Sequence, residues 1–361
     1  MIPYLIVFSF SIYFTLLANK KLCSKGLLYI YSIIAILLPS LLAGFRDYAI
    51  GTDTIHYLNY FNNSLYYSSY DSFLMSYPNV EPAFLLLNYI ISRFSHEPIV
   101  YLFIIHFIII SLIYISAFKI RNNIEPTWFM FMFLFMMYNE SLNAMRQYLA
   151  LALSLFAFVM YFNNKKIIKY ILLIIIATMF HRSAVICFIM IPIFYWTKYF
   201  TVRDNYKQLY FYVSIFLLLI IFGKSFLLPL LTDSFEGKYE GYLSTNVVGG
   251  VSLSSLLVYL ITFYYIYHNT RKLGARIMDV FLIISLFAVF IMLFSIYSVQ
   301  LYRLSLYFFI IVILAISYIF QKISDIKYEI KIFFMILFMF FWFYSYCYRG
   351  SHATIPYVFI Y

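Results

Sequence analysis

Long apolar runs separated by short polar breaks dominate the chain. Because a membrane-spanning helix needs about 20 apolar residues, the runs predict about twelve transmembrane helices. They lie at about 2–18, 27–44, 98–118, 127–138, 142–162, 168–181, 184–197, 208–228, 251–267, 278–298, 303–320 and 331–348. The run at 82–94 is shorter, contains Asn88 and Arg93, and is followed closely by Pro98, which favours a re-entrant or interfacial helix.

The composition excludes a water-soluble fold. Of 361 residues, 65% are hydrophobic and 11% are charged, and the mean hydropathy is +0.90, whereas soluble domains carry about 25% charged residues. We expect an all-α polytopic membrane protein in which residues 1–361 form a single integral membrane domain. The net charge of +11 does not predict a nucleic-acid partner, since the basic residues are spread over loops rather than clustered in a solvated domain.

The basic residues predict the topology. Seventeen of the 25 Lys and Arg lie in six loops between alternate spans, and the positive-inside rule makes these loops cytoplasmic. Both termini and the loops at about 45–81 and 229–250 are then periplasmic. The first run has no basic stretch before it and no cleavage site after it, so we expect a retained span. The loop at 229–250 could be a mobile lid or an ordinary solvated loop.

Six of the ten arginines depart from this rule and fall on the predicted outer side. They are Arg46, Arg93, Arg146, Arg182, Arg303 and Arg349. The planar guanidinium binds phosphate oxygens bidentately and keeps its charge, so the set favours an anion site. Each one alone could instead snorkel or pair with an outer acid.

Three residues beside these arginines could take a proton from an attacking hydroxyl. Asp53 follows Arg46 in a glycine-containing stretch, where its carboxylate could lie near the guanidinium or cap a following helix. Glu81 precedes Pro82 and could simply favour the helix dipole. His181 joins two short apolar runs and could be structural or catalytic. The sequence does not rank the three.

A polar stretch between two spans supplies candidate substrate-binding residues. On one continuous helix Asn139, Asn143, Arg146 and Gln147 would share a face, and such a face is costly in a membrane unless it lines a cavity or pairs with neighbours. Asn139, Asn143 and Gln147 are therefore candidates. Tyr242 and Arg349 join them on location alone.

This pattern suits a lipid-pyrophosphate-linked sugar, whose anion would lie at the interface and whose chain would lie in the bilayer. Several of the outer arginines, converging from different helices, would bind the pyrophosphate and stabilise the charge that develops on it as a leaving group. Tyrosines offer sugars a stacking face and a hydroxyl. No DxD or HExxH pattern occurs, so we expect no metal and no cofactor.

The order of motifs carries a family resemblance. It runs Phe45-Arg46, Gly51-Thr52-Asp53, Glu81-Pro82, Arg146-Gln147, His181-x-Ser183-Ala184, Arg303 with Tyr307, and Pro356-Tyr357. The chain thereby resembles the EpsG family of polysaccharide polymerases, which is similar to the Wzy-type O-antigen polymerases.

The resemblance implies a GT-C-like, multi-pass glycosyltransferase of the bacterial inner (cytoplasmic) membrane. Such enzymes join undecaprenyl-pyrophosphate-linked oligosaccharide repeat units at the periplasmic face in O-antigen, capsule or exopolysaccharide synthesis. Its family arginines correspond to Arg46, Arg146, Arg182 and Arg303. The implied partners are the lipid-linked oligosaccharides and membrane lipids, with a chain-length regulator and a flippase as candidates.

Two alternatives remain open at this point. An O-antigen ligase would use the same donor but transfer it to lipid A core. A transporter or flippase of lipid-linked sugars would also hold the pyrophosphate, but such proteins usually show internal repeats and charges near the bilayer midplane. The predicted spans here are nearly free of charge in their central parts, which favours chemistry on one side of the membrane.

Overall fold

A computed structural model describes residues 1–20, 23–199, 253–295, 299–323 and 327–360. The α-helices among these residues are α1 (Ile2–Ala18), α2 (Lys25–Gly44), α3 (Thr54–Ser64), α4 (Tyr70–Ser76), α5 (Pro82–Phe94), α6 (Pro98–Lys119), α7 (Pro126–Met136), α8 (Tyr138–Asn143), α9 (Met145–Asn164), α10 (Ile167–Phe180), α11 (Met190–Tyr199), α12 (Leu253–Leu273), α13 (Arg276–Phe294), α14 (Val299–Lys322) and α15 (Tyr328–Trp342). A 3-10 helix at Arg182–Ile189 precedes α11, and a π-helical turn at Phe343–Tyr348 follows α15.

Several of these helices could cross a membrane. Within the described ranges six are long and apolar enough: α2, α6, α9, α13, α14 and α15 with its π-helical turn. Shorter apolar helices are α1, α5, α7 and α10. The chain is therefore an all-helical, multi-pass membrane protein in its described part, while the count of twelve spans and the GT-C-like arrangement stay predictions. The predicted span at 208–228, the loop at 229–250 and Tyr242 lie outside the described residues.

The chain divides into two compact units, Met1–Phe188 with Ile313–Tyr361, and Ile189–Val312. In the first unit α1 packs on α2 and α7, α2 on α6, α6 on α9, and α9 on α10. Gly44 ends α2 where a Cβ atom would lie 2.9 Å from the Phe103 Cβ of α6. The missing side chain thus lets the two helices approach closely.

An aromatic cluster forms the core of the first unit near the chain termini. Tyr4, Phe8, Tyr138 and Trp342 are all buried, and the Phe8 ring meets the Tyr138 ring edge-on at 5.2 Å. Such arrangements are favourable beyond the area that they bury. The Tyr4 hydroxyl also donates to the Thr354 carbonyl at 2.8 Å, so both ends of the chain lie at the same end of this unit.

The opposite end of the first unit is tied by polar contacts between loops. Asn19 donates to Glu125 Oε1 at 2.9 Å, and the Glu125 amide donates to the Ser317 carbonyl of α14 at 3.1 Å. These bonds join the end of α1 to the start of α7 and to the last turns of α14.

The second unit contains α11, α12, α13 and the first part of α14. α12 packs along α13, and α11 also contacts α13. The ring of Tyr259 stacks on Phe309 at 4.2 Å, and its hydroxyl lies 3.0 Å from Ser305 Oγ. Side-chain stacking and one buried hydrogen bond therefore link α12 to α14.

The predicted loop at 45–81 contains two helices, α3 and α4, which pack against α5. α5 spans the residues that its apolar run predicts. Arg93, near its end, donates to the carbonyls of Ser64 at 2.7 Å and Tyr67 at 3.2 Å. This arginine thus satisfies orphan carbonyls at the end of α3.

The polar stretch before α9 is not one helix. α8 ends at Asn143 and α9 begins at Met145, because Ala144 has φ −104° and ψ 52°, outside the helical region. The expectation that Asn139, Asn143, Arg146 and Gln147 share one face of one helix is wrong. The break turns the asparagines and the arginine toward different partners.

Candidate functional site

A buried ion pair joins α5 to α9. The Arg146 Nη1 atom lies 2.7 Å from Glu81 Oε2, with the side chains 25% and 8% exposed. Glu81 occupies the N-cap position of α5 but makes no capping bond with its side chain, and Arg146 lies in the first turn of α9. The Glu81 carboxylate is thus directed at the guanidinium rather than at its own helix.

The end of α10 completes this cluster. His181 Nδ1 lies 3.7 Å from Glu81 Oε1, and the Arg182 backbone N–H donates to the same oxygen at 3.4 Å. The Ser183 backbone N–H donates to His181 Nδ1 at 3.4 Å. Because Nδ1 accepts, a neutral His181 carries its proton on Nε2.

The surroundings of the cluster favour anions. Burial alone would raise the pKa of Glu81, but the charge of Arg146, that of His181 when it is protonated, and backbone hydrogen bonds outweigh burial and lower the pKa, so the carboxylate is ionised at neutral pH. The N-termini of α5 and α9 meet here, and helix N-termini attract negative charge. The rings of Phe84 and Tyr57 lie 5.6 and 5.7 Å from Arg146 Cζ, within cation–π range.

Comparison with known proteins decides the family. A family model described as the EpsG family matches residues 29–359. The chain belongs to the EpsG family. The matched range begins within α2 and includes Glu81, Arg146, His181 and the C-terminal residues up to Phe359. Membership associates the chain with polysaccharide polymerisation of the glycosyltransferase type. No curated protein and no solved structure matches it.

Arg46 has a different setting in this EpsG-family protein. Its side chain is 0% exposed. Nη1 donates to the Ala43 carbonyl at 3.0 Å, and Nη2 donates to the Leu142 carbonyl at 3.0 Å and to Thr54 Oγ1 at 3.4 Å. Burial lowers the pKa of Arg46 to about 10, which still leaves it charged at neutral pH. The guanidinium therefore ties together the end of α2, the start of α3 and α8.

Residues 350–360 form a C-terminal strap across the segment that follows α2. The Asp47 amide donates to the Val358 carbonyl at 2.9 Å, and the Ile360 amide donates to the Phe45 carbonyl at 3.0 Å. These bonds flank an antiparallel bridge between Arg46 and Phe359. The Tyr357 hydroxyl adds a bond of 2.7 Å to the Leu42 carbonyl. Backbone hydrogen bonds thus hold the segment around Arg46 in one conformation.

The two asparagines of α8 connect the strap to the loop before α3. Asn139 Oδ1 accepts from Trp342 Nε1 at 2.8 Å, and its Nδ2 donates to Thr354 Oγ1 at 3.0 Å. Asn143 Oδ1 accepts from Thr52 Oγ1 at 2.8 Å and from the Asp53 amide at 2.9 Å. Both side chains therefore hold protein segments in place.

The remaining predicted site residues are distributed over the molecule. Asp53 precedes α3 without a capping bond from its side chain, and Thr54 rather than Asp53 accepts from Arg46. Gln147 is buried in α9, and Arg349 is exposed. Arg303 lies half-buried in the first turns of α14, in the second unit. The structure thus brings Glu81, Arg146, His181 and Arg182 together.

Some residues of the site carried no distinct signal in the sequence. Phe84 is one apolar residue among many in α5, and Thr354 lies 215 positions from Asn139, with which it bonds. Only the fold brings such pairs together. The described residues contain no group of three or more His, Cys, Asp and Glu side chains able to hold a metal ion.

Proposed function

We propose that this EpsG-family protein is a polysaccharide polymerase, a GT-C-like glycosyltransferase that joins undecaprenyl-pyrophosphate-linked oligosaccharide repeat units. It would act at the periplasmic face of a bacterial inner membrane. The proposal rests on the cluster of Glu81, Arg146 and His181. In this cluster a permanently charged guanidinium, a carboxylate and an imidazole meet where α5 and α9 begin.

Arg146 and Arg182 would bind the pyrophosphate. Arg146 is held in place by Glu81 and by the rings of Tyr57 and Phe84, and its guanidinium can bind two phosphate oxygens at once. The Arg182 backbone amide donates to the same carboxylate, and the Arg182 side chain is exposed. Charges positioned in advance stabilise the leaving group without reorganisation during the reaction.

His181 would accept the proton. In the transfer, the acceptor hydroxyl oxygen forms a bond to the anomeric carbon of the donor sugar, while the bond from that carbon to the pyrophosphate oxygen breaks. The leaving pyrophosphate keeps the electron pair, and the hydroxyl proton passes to His181 Nδ1, which gives up its bond from the Ser183 backbone N–H. Glu81, 3.7 Å away, stabilises the imidazolium formed. With its lowered pKa, Glu81 is suited to this electrostatic role rather than to that of the base.

Purified protein tests the activity. We expect it to convert lipid-linked repeat units, extracted from cells that lack it, into a ladder of longer lipid-linked products without any other acceptor. The ladder would be resolved by gel electrophoresis, with Arg146→Ala as the inactive control. A strict requirement for lipid A core would make the protein a ligase instead. Movement of the lipid-linked unit across vesicles without a covalent product would make it a flippase.

Reporter fusions test the orientation. A reporter fused after Lys166 is expected to report a cytoplasmic location, because Lys165, Lys166 and Lys169 form one of the basic loops. A reporter fused within residues 233–245 is expected to report the periplasm. Paired phosphatase and fluorescent-protein fusions at the two positions measure this. Reversed signals would overturn the assignment of both faces.

A further inference from the structure

A face of α3 leads away from the cluster of Glu81, Arg146 and His181. Four residues of this helix, His56, Asn59, Tyr60 and Asn63, follow the i, i+3, i+4, i+7 spacing of one helical face. Three of them are exposed, and Tyr60 is half-buried. Together with the half-buried ring of Tyr77, which follows α4, they form what we call the tyrosine–amide face.

This face is continuous with the ion pair through aromatic rings. The Phe84 ring lies 5.6 Å from Arg146 Cζ, and the Tyr60 ring meets Phe84 edge-on at 6.2 Å. The Tyr77 ring in turn meets Tyr60 edge-on at 5.2 Å. One ring therefore separates the tyrosine–amide face from the guanidinium of Arg146.

The two tyrosine rings are held in place. Asn63 Nδ2 donates to the Tyr77 hydroxyl at 2.8 Å, and the buried ring of Phe73 packs edge-on against Tyr77 at 5.4 Å. A half-exposed ring that is fixed by a hydrogen bond and by a neighbouring ring loses little conformational freedom when a ligand binds. The rings are thus preorganised for binding.

The chemistry of this face fits a saccharide. It carries no carboxylate, no Lys and no Arg, so it does not favour an ionic ligand. Carboxamides present a donor and an acceptor together, as neighbouring sugar hydroxyls require, and tyrosine combines an apolar ring face with a polar end. A glycan joined to a pyrophosphate at Arg146 would extend along such a surface.

We infer that the tyrosine–amide face binds the oligosaccharide part of a lipid-linked substrate while Arg146 holds its pyrophosphate. This inference rests on the proposed function and adds to it a binding site for sugar rings. The site would keep the glycan in contact with the enzyme between successive transfers.

Kinetics of the purified full-length protein with extracted lipid-linked repeat units test this inference. We expect the double variant Tyr60→Ala/Tyr77→Ala to raise KM about tenfold, with kcat within about twofold of the wild-type value, and to shorten the product ladder. The variant Tyr60→Phe keeps the ring and should keep KM near the wild-type value. Asn59→Ala, which removes an exposed carboxamide, should raise KM a few-fold.

A matched control removes a tyrosine from the same region. Tyr66 is 86% exposed just beyond α3, and Tyr66→Ala should leave KM, kcat and ladder length unchanged. A lowered kcat with an unchanged KM in the double variant would show that Tyr60 and Tyr77 only support Arg146, and would overturn the inference. Reduced membrane insertion with unchanged kinetics would overturn it in favour of a lipid-facing surface.

Binding measurements separate this inference from the proposed function. Retention of the lipid-linked unit by protein in nanodiscs can be measured by mass spectrometry whether or not a product forms. If wild-type protein binds the unit through the tyrosine–amide face but makes no ladder, the polymerase proposal is wrong, while the inference that this face binds the oligosaccharide is supported. If ladders form and the double variant binds the unit as tightly as the wild type, the face alone is wrong.

Discussion

Replacement of Arg146 by Ala is expected to abolish polymer formation, with kcat lowered about 100- to 1000-fold, the usual effect of removing one preorganised charge-stabilising group. Arg146→Lys should also lose most activity. A single ammonium cannot keep the 2.7 Å bond to Glu81 and bind two phosphate oxygens at the same time. The rate of ladder formation by purified protein measures both effects.

The ion pair complicates this experiment, because Arg146→Ala leaves the buried Glu81 carboxylate without its guanidinium partner. Breaking a buried pair on one side costs about 3 kcal/mol of stability. The double variant Glu81→Gln/Arg146→Gln removes both charges, so its thermal stability should exceed that of Arg146→Ala while activity stays absent. Arg121→Ala, at an exposed arginine just beyond α6, is the matched control with normal activity. Wild-type ladders from Arg146→Ala would exclude this residue from the reaction.

Replacement of Arg46 by Ala is expected to lower the stability of the folded protein. The side chain is 0% exposed and donates to two carbonyls and one hydroxyl, all of which would lose their charged donor. Each unsatisfied buried group costs about 1–3 kcal/mol, so we expect the free energy of unfolding to fall by at least about 3 kcal/mol. Thermal unfolding of the purified protein measures this loss.

Arg182→Ala supplies the contrast to Arg46→Ala. The Arg182 side chain is exposed, so its removal should lower activity without lowering the unfolding temperature. The sequence predicts that Arg46 binds pyrophosphate, and that role requires Arg46→Ala to behave like Arg182→Ala. Normal stability combined with lost activity in Arg46→Ala would therefore support a ligand role and contradict a structural one.

The sequence predicts the helices of this protein better than it predicts their contacts. Apolar runs identify α2, α6 and α5 to within a few residues, since a span must be long and apolar wherever it packs. The ion pair of Glu81 and Arg146, 65 positions apart, depends on how α5 meets α9. The hydropathy pattern does not predict how these two helices pack against each other.

The arginines on the predicted outer side show the limit of charge patterns. Their placement predicts a common anion-binding role, but Arg93 donates to carbonyls at the end of α3, and Arg46 donates to the Ala43 and Leu142 carbonyls. A guanidinium can satisfy backbone carbonyls as well as phosphate oxygens. Composition alone cannot distinguish the two uses.

The break at Ala144 illustrates a second limit. The spacing from Asn139 to Gln147 fits one helical face, but helical periodicity applies only while the helix continues. The side chain of Asn143 bonds to Thr52 and to the Asp53 amide, and these tertiary contacts accompany a backbone that leaves the helical region at the next residue. Contacts between distant segments thus override a local pattern.

The C-terminal strap has a consequence for the order in which the protein matures. Tyr4 and Thr354, 350 positions apart, are joined by a hydrogen bond, and the segment around Arg46 is held by Val358 and Ile360. A ribosome makes the chain from its N-terminus, so α1, α2 and α3 are synthesised long before the strap. The backbone hydrogen bonds of the loop between α2 and α3 can therefore be completed only after residues 350–360 have been synthesised. Nascent chains that still lack the strap should be inserted but inactive.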